Sequence, residues 1–102
     1  MSYAEYEMKV IQWSEAREII PNSTPMAQLC KLEEEVNELR DALFESNREE
    51  SIDAIGDCTV VLINICALLD VNLTDCLAHA FEQIKNRKGH MNEQGLFIKE
   101  TA

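Results

Sequence analysis

Two groups of carboxylates have spacings that could do chemistry. Glu35 and Glu38 are three residues apart, and Asp53 and Asp57 are four apart with Glu50 one turn before them. Residues three or four apart share a helix face. Each group therefore lies on one side of its segment if that segment is helical. Extending the first face backwards gives Lys31 and Gln28, and extending the second forwards gives Val61 and Asn64. A short turn joins the two segments, so they should pack antiparallel with the carboxylates opposed. Such groups beside a core repel, and either protons or a cation must hold them. A donor set made only of oxygen selects a hard divalent ion, Mg²⁺, Mn²⁺ or Ca²⁺. Asp57 is the sharpest clue, because it follows Gly56 and opens an apolar run, where a charge needs a partner. The same spacings also describe a solvated helix face with Lys31 and Glu35 as an ordinary pair. Residue pattern alone leaves both readings open.

The elements that must position these groups read as four helices. Residues 3–20 carry Tyr6, Val10, Trp13 and Arg17 at helical spacing, and Pro21 is expected to stop the helix. Thr24 is a good N-cap and Pro25 a good first helical residue. From 25 to about 45, Leu29, Leu32, Val36, Leu39 and Leu43 form one apolar stripe. Ser46 and Glu49 fit a capping box for a third helix over about 47–69. Its second half is apolar nearly all round, which suits the central helix of a bundle or an interface. Thr74 is the expected cap of a fourth helix running to about 88, and Gly89 its expected end after Lys85, Arg87 and Lys88. The tail, 90–102, has no helical period, and Leu96, Phe97 and Ile98 suit packing on a neighbour or a short extended arm. The expected fold is all-α, one domain over 1–102, with antiparallel neighbours.

Composition narrows the function. The 102 residues carry 9 Lys plus Arg against 19 Asp plus Glu, a formal net charge of −10. That balance argues against nucleic acid as a partner, since such surfaces neutralise phosphates with excess cations. One domain of this size buries only ~60–65% of its unfolded surface, so oligomerisation is expected. The start of the chain does not read as a signal peptide, and the apolar run 58–69 is shorter than the ~20 residues of a membrane span. A cytoplasmic protein without a membrane partner is the expectation. Cys30, Cys58, Cys66 and Cys76 form no Cys-x-x-Cys pair and read as thiols packed as small hydrophobes.

The run Lys31-Leu32-Glu33-Glu34-Glu35-Val36-Asn37-Glu38-Leu39, followed by Asp53-Ala54-Ile55-Gly56-Asp57 and then Asn64, resembles the MazG-like all-α nucleoside triphosphate pyrophosphohydrolases. The resemblance spans roughly residues 10 to 88. It implies a four-helix antiparallel bundle, oligomeric, that uses Mg²⁺ (with Mn²⁺ able to substitute) to cleave a ribo- or deoxynucleoside triphosphate into monophosphate and pyrophosphate. That family's mark is Glu-x-x-Glu on one helix and Glu-x-x-Asp on the next. Glu35 and Glu38 match the first half, with Glu34 in the common doubled position, and Gly56-Asp57 matches the end of the second. The chain departs from the mark at Ala54, where the family carries Glu. Asp53 is the best substitute, with Glu50 assisting. Short phage and bacterial members share the Asp-Ala-Ile-Gly-Asp form, so a viral origin, and hence a host cytoplasm, fits the resemblance.

The implied mechanism has water attack the α-phosphorus, with Glu35 or Glu38 as general base and the metal shell drawn from Glu34, Glu35, Glu38, Glu50, Asp53 and Asp57. Lys31, Lys85, Arg87 and Lys88 are candidates for phosphate contacts. Trp13, with Gln12 and Arg17 nearby, is a candidate to stack on the base, and Asn64 to bond the sugar or base edge. The implied partners are the nucleotide and a second copy of the chain, as a homodimer or a dimer of dimers. A reading from a different class is a non-catalytic acidic helical interaction module whose site has degenerated at Ala54.

Overall fold

The computed structural model describes residues 1–101. It is helical over most of its length, with α1 (Tyr3–Ala16), α2 (Ile19–Asn22), α3 (Pro25–Phe44), α4 (Arg48–Leu68) and α5 (Leu73–Ile84), followed by strands β1 (Gly89–Met91) and β2 (Phe97–Lys99). The all-α expectation holds for the body of the chain. The small sheet is its only strand structure among the described residues.

Helix ends show where local chemistry decides. Ser2 and Glu5 form a capping box at the start of α1. The helix stops at Ala16, four residues before the expected end. Glu18 turns left-handed with φ 64°, and the chain restarts as the single turn of α2. Pro21 sits inside that turn rather than stopping α1, because a first helical turn has no use for its missing N–H. Thr24 caps α3 as expected, its hydroxyl accepting from the Ala27 N–H at 3.1 Å.

The α3–α4 turn differs from the expected capping box. Ser46 is left-handed at φ 55° and closes α3. Its N–H donates to Leu43 O at 3.1 Å, and the next N–H, of Asn47, donates to Ala42 O at 2.9 Å. This is the double closure that satisfies the last carbonyls of a helix. Asn47 is then the true cap of α4, accepting from the Glu50 N–H at 3.1 Å. The same closure ends α4, with Asp70 left-handed at φ 60° and Val71 N–H donating to Cys66 O at 2.9 Å. Asn72 caps α5 in place of Thr74, accepting from the Asp75 N–H at 2.8 Å. In both cases an Asn one or two residues from the expected position fits the cap better, since its short amide reaches the orphan N–H groups.

α5 ends at Ile84 rather than near Lys88, so Gly89 does not terminate a helix. It opens a hairpin instead, with Gly89 paired to Lys99, His90 to Ile98 and Met91 to Phe97. A side chain at Gly89 would run into the Ile98 carbonyl and the Phe97 ring. The need for glycine there is close approach between strands, not a helix cap.

α3 and α4 pack along each other as the main pair, and α1 packs across α4. Ala42, Ala54, Val61, Ile63 and Cys66 are the buried apolar side chains. That is a thin core. The chain exposes 7978 Å², where a compact protein of its mass exposes about 5,800 Å². Its radius of gyration is 16.1 Å, against about 13 Å for a compact domain of this length. Phe44 is 90% exposed, and Leu77, Phe81 and Ile84 leave the apolar face of α5 open. At 21 residues α4 is, by length and composition, apolar enough to cross a bilayer, as the core helix of a packed domain also is. The apolar run counted from the sequence alone was shorter.

Candidate metal and nucleotide site

The antiparallel α3–α4 hairpin brings three of the singled-out carboxylates together. One oxygen each from Glu35, Glu38 and Asp57 lies within 4.8 Å of the others. Glu35 is buried at 8% exposure, Asp57 is half-buried and Glu38 is exposed. Lys31 reaches Glu35 Oε1 at 3.4 Å and Glu34 at 3.3 Å. The other Glu35 oxygen, Oε2, is buried and has no hydrogen-bond donor among the described residues. A buried carboxylate oxygen without a donor is costly. The cost is removed by a proton on a neighbour or by a cation.

Proton affinities record the same crowding. A hydrogen bond shared with Glu35, and that residue's charge, raise Glu38 above the usual carboxylate range. Desolvation raises Asp57, with the charges of Asp53 and Glu35 adding to it. Hydrogen bonds to Glu34 and then Glu35 raise Lys31. Desolvation and the three clustered carboxylates raise the Cys58 thiol, which keeps it protonated beside the site. An all-oxygen donor set with an unsatisfied buried oxygen at its base fits a hard divalent cation.

The remaining candidates fall into separate places. Asp53 is exposed one turn before Asp57 and acts on it by charge. Glu34 points outward and pairs with Lys31. Glu50, in the first turn of α4, lies outside the cluster. Ala54 is buried, so no side chain from that position joins the acidic group. Trp13 is 45% exposed with the Arg17 guanidinium stacked 4.3 Å over its ring. Gln12 lines a shallow groove along α1 with Ala4, Met8 and Lys9. Asn64 is buried on α4. Its Oδ1 accepts from Ser14 Oγ at 2.6 Å, and its Nδ2 donates to Gln28 Oε1 at 3.3 Å. Lys85 pairs with Glu82 at 2.6 Å. Arg87 and Lys88 line a polar groove with Lys99 and Glu100 where α5 meets the hairpin.

Two residues with structural consequences were not picked out from sequence. Ser14 is fully buried on α1. Glu7 is buried and receives the Leu73 N–H at 2.7 Å and the Thr74 hydroxyl at 3.1 Å, so its carboxylate sits at the N-terminus of α5. The two lie seven residues apart on one helix face, but nothing in that spacing names their partners, which are 50 or more positions away.

Residues 8–84 match the phosphoribosyl-ATP pyrophosphohydrolase family. An uncharacterised 18.2 kDa protein of Haemophilus phage HP1 is 40% identical over 52 residues, covering 51% of this chain and 32% of the phage protein. The chain thus aligns with about a third of that relative's length. Among solved structures, a cyanophage S-2L MazG-like pyrophosphohydrolase, bound to dGDP and three catalytic Mn²⁺ ions per active site, superposes with a TM-score of 0.74. It is 19% identical, and the match covers 100% of this chain and 96% of that one. At that identity the likeness establishes a shared all-helical fold.

Proposed function

The chain belongs to the phosphoribosyl-ATP pyrophosphohydrolase family, and from that premise we propose that it is a metal-dependent nucleoside triphosphate pyrophosphohydrolase. It cleaves a ribo- or deoxynucleoside triphosphate into monophosphate and pyrophosphate. The observation that carries this reading is the Glu35–Glu38–Asp57 cluster, with a buried Glu35 oxygen that has no donor among the described residues. The relative bound to dGDP and Mn²⁺ supports it at the level of the fold.

Glu35, Glu38 and Asp57 are the residues to hold Mg²⁺, with Mn²⁺ as substitute, and Asp53 adds negative charge from one turn away. Bound there, divalent cations invert the local sign for a polyanionic substrate and acidify a coordinated water. Glu38 is the better placed general base. It is exposed, where the attacking water can reach it, whereas Glu35 is buried. It takes the proton of the water that attacks the α-phosphorus, and pyrophosphate leaves. Lys31 is held beside the cluster by Glu34 and Glu35, where its charge meets a phosphate oxygen once the carboxylates are neutralised. The Trp13 ring, backed by Arg17, offers an exposed aromatic face for a base.

The surplus of exposed apolar surface supports self-association. About 2,000 Å² of excess surface matches what a permanent homodimer interface buries. The net charge of −10 disfavours a nucleic-acid partner, and the proposed setting is the cytoplasm, the host's if the gene is viral.

The test is incubation with a panel of ribo- and deoxynucleoside triphosphates, with and without Mg²⁺, and identification of products. Metal-dependent monophosphate and pyrophosphate, lost in Glu38→Gln, is the expected result. Orthophosphate and diphosphate would refute the cleavage position. No turnover together with no stabilisation by Mg²⁺ would favour an interaction module with a degenerate site at Ala54.

A further inference from the structure

The two helices that carry the acidic cluster are also joined by a polar chain, buried at Ser14 and Asn64 and half-buried at Gln28 and Ser23. Ser14 Oγ on α1 donates to Asn64 Oδ1 on α4 at 2.6 Å. Asn64 Nδ2 donates to Gln28 Oε1 on α3 at 3.3 Å, and Gln28 Nε2 donates to Ser23 Oγ before α3 at 3.1 Å. Ser14 is 0% and Asn64 3% exposed. Three helices therefore meet at the Asn64 amide, and the Gln28 amide carries the chain on to the α2–α3 connection.

The position of this chain matters more than its strength. Gln28 lies seven residues before Glu35, and Asn64 seven residues after Asp57. Seven residues are two turns, about 10 Å, and return to nearly the same face. In an antiparallel pair, Gln28 opposite Asn64 and Glu35 opposite Asp57 are the same register. The Ser46 turn fixes that register at one end of the hairpin, and the amide fixes it at the other. The cluster lies between them. The second half of α4 is apolar nearly all round, so its packing distinguishes poorly between neighbouring rotations and slides against α3. A buried amide with one matching partner does distinguish them, as single buried Asn residues do in coiled coils.

We propose that Ser14, Asn64 and Gln28 are positioning residues whose hydrogen bonds lock α3 against α4 so that Glu35 and Glu38 converge with Asp57. This rests on the reading of that cluster as a divalent-metal site. Residues that orient metal ligands without touching the metal typically set affinity within a range of ten- to a hundredfold.

The test reads Mn²⁺ binding to the full chain directly, by the loss of the free-ion electron paramagnetic resonance signal, beside thermal melts in chelator. Gln28→Leu removes the bond between α3 and α4. The triple variant Ser14→Ala, Gln28→Leu, Asn64→Leu removes all three lock side chains together and leaves only the half-buried Ser23 hydroxyl, which solvent can reach, so it is the variant to use if the single one does not fold. Either is expected to bind Mn²⁺ at least tenfold more weakly than wild type. Ile63→Ala is the control, because Ile63 is buried on α4 yet makes no polar link. It is expected to lower the melting temperature and leave Mn²⁺ affinity within about twofold. Unchanged Mn²⁺ affinity in the folded lock variants overturns the proposal, and so does an equal loss of affinity in Ile63→Ala. Glu35→Gln separates the two readings. If it binds Mn²⁺ as wild type does, the metal site itself is misplaced, whatever the lock variants show.

Discussion

Replacing Glu35 by glutamine should invert the order of stability according to whether a divalent ion is present. The Glu35 oxygen lies within 4.8 Å of an Asp57 oxygen. Two unit charges at that separation repel by about 1 kcal/mol in bulk water and about 3.5 kcal/mol at an effective dielectric of 20. Neutralising Glu35 relieves this repulsion, removes the desolvated charge on Oε2, and supplies an N–H that the neighbouring carboxylates can accept. The opposing loss is the Lys31 pair at 3.4 Å. Lys31 is exposed, so solvent screens this pair and little stability is lost with it. The net expectation in chelator is a variant more stable by about 1–2 kcal/mol. For a domain of this size that is a rise in melting temperature of roughly 4–15 °C. With ion at a hundred times its dissociation constant, wild type gains about 2.7 kcal/mol. The variant, missing the buried ligand, gains little, so wild type becomes the more stable. The assay is a pair of thermal melts for each protein, in chelator and in Mg²⁺ or Mn²⁺. A variant that melts below wild type in chelator would refute the repulsion argument and show that Lys31 already satisfies the cluster. Equal stabilisation of both proteins by the ion would place the ion elsewhere.

Further expectations concern charge, capping and assembly. In the folded chain Glu38 and Asp57 hold their protons above the ordinary values of 4.5 and 3.8. The folded state therefore binds more protons than the unfolded one in that window, and ion-free stability should fall as pH rises from those values through the raised ones. Asp57→Asn should flatten this part of the profile, measured as the difference in melting temperature from wild type across pH; an unchanged profile would remove Asp57 from the account. Glu7→Gln weakens two charge-assisted bonds at the start of α5 and should cost about 1–3 kcal/mol in chemical denaturation, with Mn²⁺ affinity unchanged. Leu77→Asp with Phe81→Asp places charge on the open face of α5. If that face is covered by a second copy, light scattering should show a smaller assembly than wild type, while a monomeric wild type would contradict the proposed self-association. Desolvation, followed by the Cys76 thiol 3.9 Å away, pushes Cys66 up to about 11. Alkylation at mildly alkaline pH should accordingly label Cys66 more slowly than in the heat-unfolded chain, as peptide mass analysis can check.

Local sequence determined the helices and much of the site. The leucine stripe of α3, the apolar length of α4 and the Thr24-Pro25 start follow from side-chain period and capping chemistry, which act over a few residues. Glu35 and Glu38 share a face by spacing alone, and a short turn suffices to oppose them to Asp57. Tertiary structure decided the rest. Which of Glu34, Glu50, Asp53 and Asp57 joins the cluster depends on the register of two helices, and spacing leaves that open by a turn. Ser46, Asn47, Asn72 and Gly89 are all plausible terminators or caps in sequence. Left-handed closures at Ser46 and Asp70, and the approach of Phe97 and Ile98 to Gly89, settled which served. Ser14 and Glu7 look like ordinary surface residues of α1 until Asn64 and the N-terminus of α5 are brought to them across 50 or more positions of chain. Their meaning lies in burial and hydrogen bonding between distant segments, and no local period encodes that.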